Sequence, residues 1–315
     1  MKCLIVQPIH PEGLARLRAH GIEPVAAPSP DMADVAAAIG PCAAVITRDK
    51  GLSDTAIAAA PHLRVISVHG TGHDAVDKGA ASERGIVVCN VPGANARSVA
   101  ELALGLALAA ARGIAGGDRA ERSGRPGFRE SARFAELHGK TALIVGWGAI
   151  GRELGRMLDL AFGMRVLVHS PRATDVGGHT RVGLEEGLAE ADLISLHTPM
   201  RPETHHMMNA ARFAVTKAGA ILVNTARQGL VDERALADAL RSGRIAAAGL
   251  DTYEHGAATG PLSGLPVVFT PHLGATTDEA LIRVATRAVD HVIAALAGHR
   301  PDTTVNAGAL DALTA

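Results

Sequence analysis

Short apolar runs rich in Val and Ile recur along the first hundred residues, separated by alanine-rich segments with helical periodicity. Residues 2–6, 43–47, 64–68 and 86–90 are predicted strands, and helices are predicted to start near Pro11, Asp31, Ser53 and Asp74. Near-continuous apolar strands alternating with helices predict a parallel α/β sheet covered on both faces. Residues 97–112 are apolar on nearly every helical face, which predicts a helix capped by Asn95 or Ser98 and buried between domains or between subunits. A bend is expected at residues 113–117. The mixed stretch 118–138 reads either as a dimerisation arm or as a solvated loop. From Lys140 the alternation resumes, with strands predicted at 141–145, 165–169, 192–197, 220–224 and 267–270. This predicts a second doubly wound sheet, and a last helix over 277–297 crosses back to the first domain.

A chain of 315 residues suits two domains rather than one core, and two domains imply a cleft. Aromatics make up only 2% of residues, so the cores must be filled by Val, Leu, Ile and close backbone approach. Thirty-one basic residues against 32 acidic ones leave a formal charge of -1, so nucleic acid and acidic membranes are not expected partners. The longest apolar segment, 102–111, is too short to span a bilayer. Cys3, Cys42 and Cys89 read as free buried thiols of a reducing compartment. The start of the chain does not read as a signal peptide, so a cytoplasmic location is expected.

The strongest chemical signal is Gly146-Trp147-Gly148-Ala149-Ile150-Gly151, directly after one predicted strand and opening a helix. Such a turn lets backbone approach a pyrophosphate, which sits on free N–H groups at the positive end of the helix dipole. At the end of the next strand, where an acidic residue would hold a ribose 2'-hydroxyl, the chain has His169-Ser170-Pro171-Arg172. No carboxylate there repels a 2'-phosphate, Ser170 can donate to it and Arg172 can pair with it. NADP is therefore expected ahead of NAD. Arg172 can also be read as a solvated loop charge.

Seven segments in order resemble the D-2-hydroxyacid dehydrogenase family, which includes phosphoglycerate dehydrogenases and glyoxylate or hydroxypyruvate reductases. They are His69-Gly70-Thr71-Gly72-His73-Asp74, Asn95 to Glu101, the glycine turn, His197-Thr198-Pro199, Asn224-Thr225-Ala226-Arg227, Gly249-Leu250-Asp251 and Thr270-Pro271-His272-Leu273-Gly274. The resemblance covers nearly the whole chain. It implies a flavodoxin-like substrate domain, residues 1–96 plus 286–315, and a Rossmann cofactor domain, residues 97–285, with a cleft between them. It further implies an oxidoreductase that interconverts a small 2-keto acid and a D-2-hydroxy acid, and a homodimer.

Reducing a 2-keto acid calls for a cation on the carboxylate and carbonyl and an acid that protonates the forming alkoxide. By resemblance Arg227 is the substrate cation, its planar fork suiting a carboxylate. His272 is the acid/base, a role that fits the titration range of imidazole. Asp251 would lie near the nicotinamide, with Thr198, Pro199, Thr225, Ala226 and Gly274 also lining the cofactor. Backbone at Thr71 and Gly72 would offer N–H groups to the substrate carboxylate.

One position departs from the pattern. The family glutamate that hydrogen-bonds the histidine falls five residues after Asp251, where this chain has Gly256. Either Glu254 reaches His272 through a rearranged loop, or His272 works without a carboxylate, or activity is lost. A different class of reading, a dinucleotide-sensing binding protein with negligible turnover, remains alongside the enzyme. The chain ends soon after the last predicted helix, without the long C-terminal extension of some phosphoglycerate dehydrogenases, which points to a glyoxylate, hydroxypyruvate or general 2-keto-acid reductase. No His or Cys spacing predicts a metal site.

Overall fold

Alternation of inward residues on the first strands sets the first core. In the computed structural model, which describes residues 1–131 and 133–314, strands β1 (Lys2–Ile5), β2 (Glu23–Ala26), β3 (Ala44–Thr47), β4 (Val65–Val68) and β5 (Val87–Asn90) form one parallel sheet. Their order is β2-β1-β3-β4-β5. Cys3, Ile5, Ala44, Ile46, Val65 and Cys89 face one side, where Val284, Ala288 and Val292 of the helix Asp278–Leu296 pack on them. Leu4, Val45, Ile66 and Val88 face the other side, against Val35 and Ile57 of the helices Met32–Ala38 and Asp54–Ala58. All three cysteines are buried and free, and burial pushes the Cys89 thiol up to about 12.

The second sheet is also parallel and has seven strands: β6 (Thr141–Val145), β7 (Arg165–His169), β8 (Thr180–Arg181), β9 (Leu193–Leu196), β10 (Ala220–Asn224), β11 (Ile245–Leu250) and β12 (Val267–Phe269). Their order, β12-β11-β10-β9-β6-β7-β8, reverses direction between β6 and β9. Ligands of open α/β sheets bind at the carboxyl ends of the strands flanking such a switch point.

Three strands escape the sequence pattern. β2 carries Pro24, which a central strand would not tolerate, and it lies at the sheet edge. β8 is two residues long. β11 reads Ile-Ala-Ala-Ala-Gly-Leu, without the β-branched run that marks a strand. Its small residues have a packing cause: a Cβ on Gly249 would lie 2.7 Å from the Cβ of Leu106 on the helix Ala96–Ala111.

That helix is a core element of the second sheet's own layer, with Ala100, Ala103, Leu106 and Ala107 buried against Val223 and Ala247. Neither expected cap serves it. Asn95 Oδ1 has no hydrogen-bond partner among the described residues, and the Ser98 hydroxyl donates to the Gly274 carbonyl at 2.6 Å. The helix expected near Asp74 is Lys78–Glu83, because Asp77 is the residue whose side chain caps it, accepting from the Ala80 N–H at 2.9 Å. The expected bend is sharp: Gly113 adopts φ 61° and the next helix, Ile114–Arg122, is turned by 60°. Within the stretch read as an arm or a loop, a short helix follows at Phe128–Ser131, and Ala132 lies outside the described residues. Among the described residues no single helix is long and apolar enough to cross a membrane.

By contacts the chain divides into two units, Met1–Asn95 with Thr276–Ala315, and Ala96–Ala275. The helix Asp278–Leu296 runs unbroken and packs wholly with the first unit, so the return crossing precedes it rather than falling inside it at residue 286. The terminal Ala315 lies outside the described residues.

Candidate functional site

The glycine turn is built by strict local constraints. β6 ends at Val145, and Gly146 turns with φ 101°, its N–H donating to the His169 carbonyl at 2.9 Å. A Cβ at Gly146 would stand 2.5 Å from the His197 carbonyl oxygen, and one at Gly151 would stand 2.1 Å from the Gly146 carbonyl oxygen. Gly148 differs. Its backbone is extended and nothing lies within 4 Å of where its Cβ would be. The protein's own packing therefore does not require glycine at 148, whereas a pyrophosphate drawn close to the backbone would.

The helix Ala149–Phe162 begins there with no side-chain cap, and the first-turn N–H groups of Ala149, Ile150 and Gly151 meet no acceptor among the described residues. An uncapped, open helix start beside a switch point fits a dinucleotide phosphate. Two substitutions separate the roles. Gly146→Ala should destabilise the fold by about 2–4 kcal/mol through clash and positive φ. Gly148→Ala should leave unfolding by urea unchanged yet weaken cofactor binding about tenfold or more by calorimetry. Unaltered affinity in Gly148→Ala would remove the pyrophosphate from this turn.

His169-Ser170-Pro171-Arg172 leaves the end of β7 beside the glycine turn, with Ser170 half-buried and Arg172 exposed. Thr198 is half-buried and Pro199 exposed just past β9. His197 before them hydrogen-bonds Ser195 through Nε2 at 2.8 Å, while its buried Nδ1 has no partner among the described residues. Burial lowers its pKa to about 4, so this imidazole is neutral at pH 7.

Past β10 the fully buried Asn224 staples the next turn: its Oδ1 accepts from the Ala226 N–H at 3.0 Å and its Nδ2 donates to the Arg227 carbonyl at 2.9 Å. That staple presents Arg227, half-buried, and leaves the buried Thr225 hydroxyl at the strand end without a partner among the described residues. An orphaned buried hydroxyl at such an edge is what a ligand's polar group would satisfy.

Asp251, at the end of β11, is the anchor of the histidine loop. Its Oδ1 accepts from the Thr270 hydroxyl at 2.6 Å and the Leu273 N–H at 2.7 Å, and its Oδ2 accepts from the Gly274 N–H at 2.9 Å. Between those contacts His272 is held exposed with φ 57°, a left-handed conformation that costs a non-glycine residue roughly 1–2 kcal/mol. Gly274 has little freedom here, since a Cβ would lie 3.1 Å from Asp251 Oδ2.

Glu254 is exposed, makes no hydrogen bond or ion pair with His272, and faces a different feature. Its N–H donates to the buried Glu233 carboxylate at 2.7 Å, and with His206, Glu233 and His255 it lines a hollow of about 630 Å³. Gly256 has φ 83°, so a glutamate there would carry a backbone strain of roughly 1–2 kcal/mol.

In the first unit, the loop after β4 is tied to the end of β5: the Asn90 amide donates to the Thr71 carbonyl at 2.7 Å and the Val91 N–H to the Gly70 carbonyl at 2.8 Å. The N–H groups of Thr71 and Gly72 meet no acceptor among the described residues. Sequence reading passes over two supports of the site, the Asn224 staple and the Asp251 clamp. Both residues lie in the motifs quoted above, but their hydrogen-bond partners are set by three-dimensional strand order.

Residues 104–274 match the family model described as D-isomer specific 2-hydroxyacid dehydrogenase, NAD binding domain. The chain is 41% identical to a hydroxypyruvate reductase of Thermotoga maritima, over 75% of this chain and 78% of that one. It belongs to the D-2-hydroxyacid dehydrogenase family. Among other family members, it is 42% identical to a D-3-phosphoglycerate dehydrogenase of Mycobacterium leprae over 88% of its own residues, and spans about half the length (53%) of that relative. The solved TT0316 protein of Thermus thermophilus superposes with a TM-score of 0.88 at 36% identity, covering 97% of this chain and 100% of that chain. Family membership sharpens the departure at Gly256: this D-2-hydroxyacid dehydrogenase homologue carries Arg227 and His272 at the expected motif positions, with no carboxylate hydrogen-bonded to the histidine among the described residues.

Proposed function

We propose that this chain is a nicotinamide-dependent oxidoreductase that interconverts a small 2-keto acid and its D-2-hydroxy acid. The observation that carries this reading is the placement of Arg227 and His272 past the carboxyl ends of β10 and β12, in the same sheet as the open glycine turn. Both are presented by dedicated supports, which a surface ion pair or a turn residue would not need.

In this mechanism the turn Gly146 to Gly151 would hold the pyrophosphate on the free N–H groups of Ala149, Ile150 and Gly151, and Thr198, Pro199, Thr225, Ala226 and Gly274 would line the rest of the cofactor. A nicotinamide held there would supply or accept the hydride. Arg227 pairs its guanidinium with the substrate carboxylate and polarises the carbonyl. His272 donates its proton to the alkoxide oxygen in reduction and takes it back in oxidation. Glu254 lies outside this relay because it hydrogen-bonds no part of His272. Asp251 acts from behind the loop. Ser170 and Arg172, in place of an acidic residue, support NADP as the preferred cofactor. A cytoplasmic homodimer acting on a free small-molecule substrate, with neither nucleic acid nor membrane as partner, completes the proposal.

The test is oxidation of NADPH and of NADH at 340 nm with glyoxylate, hydroxypyruvate, pyruvate, phenylpyruvate and phosphohydroxypyruvate across pH. Turnover with at least one is expected. Cofactor binding with no turnover on the whole panel would displace the enzyme reading in favour of a dinucleotide sensor.

A further inference from the structure

Two arginines, Arg172 and Arg181, are brought onto the segment that follows β7. Arg172 lies in a turn closed by the Ala173 N–H donating to the Ser170 carbonyl at 3.2 Å. Arg181 is nine residues further on, but the short strand β8 pairs it with Val168, and its guanidinium donates back to the Ala173 carbonyl. The return is fixed at three more points. His169 Nδ1 is 3.2 Å from the Val182 carbonyl, the Val182 N–H donates to the Val168 carbonyl at 3.1 Å, and His179 meets the Trp147 ring edge-on at 5.3 Å.

Among the described residues Arg172 and Arg181 make no ion pair, and every carboxylate between residues 170 and 190 is engaged elsewhere. Asp175 accepts from the Gly177 N–H at 2.8 Å, Glu185 pairs with Arg212 at 3.0 Å, Glu186 accepts from the Gly183 N–H at 3.1 Å, and Glu190 pairs with Arg165. Two cations without an ion pair on one segment, shared with the single carboxylate of Asp175, lie at the strand end where a dinucleotide's adenosine ribose is read, which suits an anion-recognition subsite.

We propose that Arg181 is a second selectivity residue for the cofactor, pairing with a ribose 2'-phosphate alongside Ser170 and Arg172. This rests on the reading that NADP is preferred. Arg181 is invisible to the usual search for that preference, which stops within a few residues of the second strand.

Calorimetric titration of NADPH and NADH into wild type, Arg181→Gln, Arg181→Lys and Arg172→Ala tests it. Glutamine keeps an N–H donor at this position and removes the charge. Arg181→Gln should weaken NADPH about five- to tenfold while NADH stays within about twofold, and Arg181→Lys should recover part of the loss. The difference between wild type and Arg181→Gln should shrink as salt is raised. Equal weakening of both cofactors would make Arg181 a loop support only and overturn the proposal. An unchanged NADPH/NADH ratio in Arg181→Gln, with a lowered ratio in Arg172→Ala, would overturn it while leaving the NADP reading intact. Tighter binding of NADH than NADPH by wild type would remove that reading and this residue's role together.

Discussion

Arg227→Ala is expected to lower kcat/KM for the 2-keto acid by about a hundred- to a thousandfold, with the cofactor dissociation constant changed by less than about threefold. The split follows from where the residue sits. Its backbone is held by Asn224, and its Nη1 also donates to the Ala226 carbonyl at 2.7 Å, so the turn keeps its shape largely through groups that an alanine leaves in place. What disappears is the planar cation that faces a carboxylate and a developing alkoxide, a contact stronger in the transition state than in the ground state. Steady-state kinetics and calorimetry on one preparation measure both quantities. Equal losses in substrate turnover and cofactor affinity would place Arg227 on the cofactor instead.

The second large effect is expected at Asp251. In Asp251→Asn one carboxylate oxygen becomes an NH2 group, which must face the N–H of Gly274 or the two donors, Thr270 and Leu273, now held by the other oxygen. A donor facing a donor in a site only 2% exposed should cost about 2–4 kcal/mol. The loop then relaxes from its left-handed turn at His272, and kcat should fall about ten- to a hundredfold. The chain has one tryptophan, Trp147, in the same unit, so its emission during urea unfolding reads the stability of that unit directly. If stability and kcat both stay at wild-type values while cofactor affinity alone drops, Asp251 serves the nicotinamide and not the histidine loop.

Much of this architecture is legible in residue patterns, for identifiable reasons. Strands buried on both faces announce themselves by short runs dominated by Val, Ile and Leu, as Leu143-Ile144-Val145 of β6 and Leu193-Ile194 of β9 do. β11 stays hidden because its composition answers to a neighbour: Ala247 and Gly249 are small so that the helix Ala96–Ala111 can approach. At the site, Gly146 and Gly151 are readable as motif letters, but their distinction from Gly148 is not. The first two are demanded by the His197 and Gly146 carbonyls, and the third faces open space. Glu254 is a candidate by proximity in sequence, yet the loop carries it to Glu233 rather than to His272. Arg181 escapes a reading of the sequence, because only strand pairing brings it back to Ser170.

The first unit draws its sheet from the beginning of the chain and one covering helix, Asp278–Leu296, from near its end. On a translating ribosome, β1 to β5 therefore emerge with Cys3, Ile5, Ile46 and Val65 uncovered, and residues 96–275 must all be made before Val284, Ala288 and Val292 arrive. That wait is on the order of ten seconds or more. The second unit, continuous in the chain, is able to finish first. A nascent chain stalled between these events carries a complete Ala96–Ala275 fold joined to a half-sealed partner, the state in which chaperone capture or aggregation is most expected.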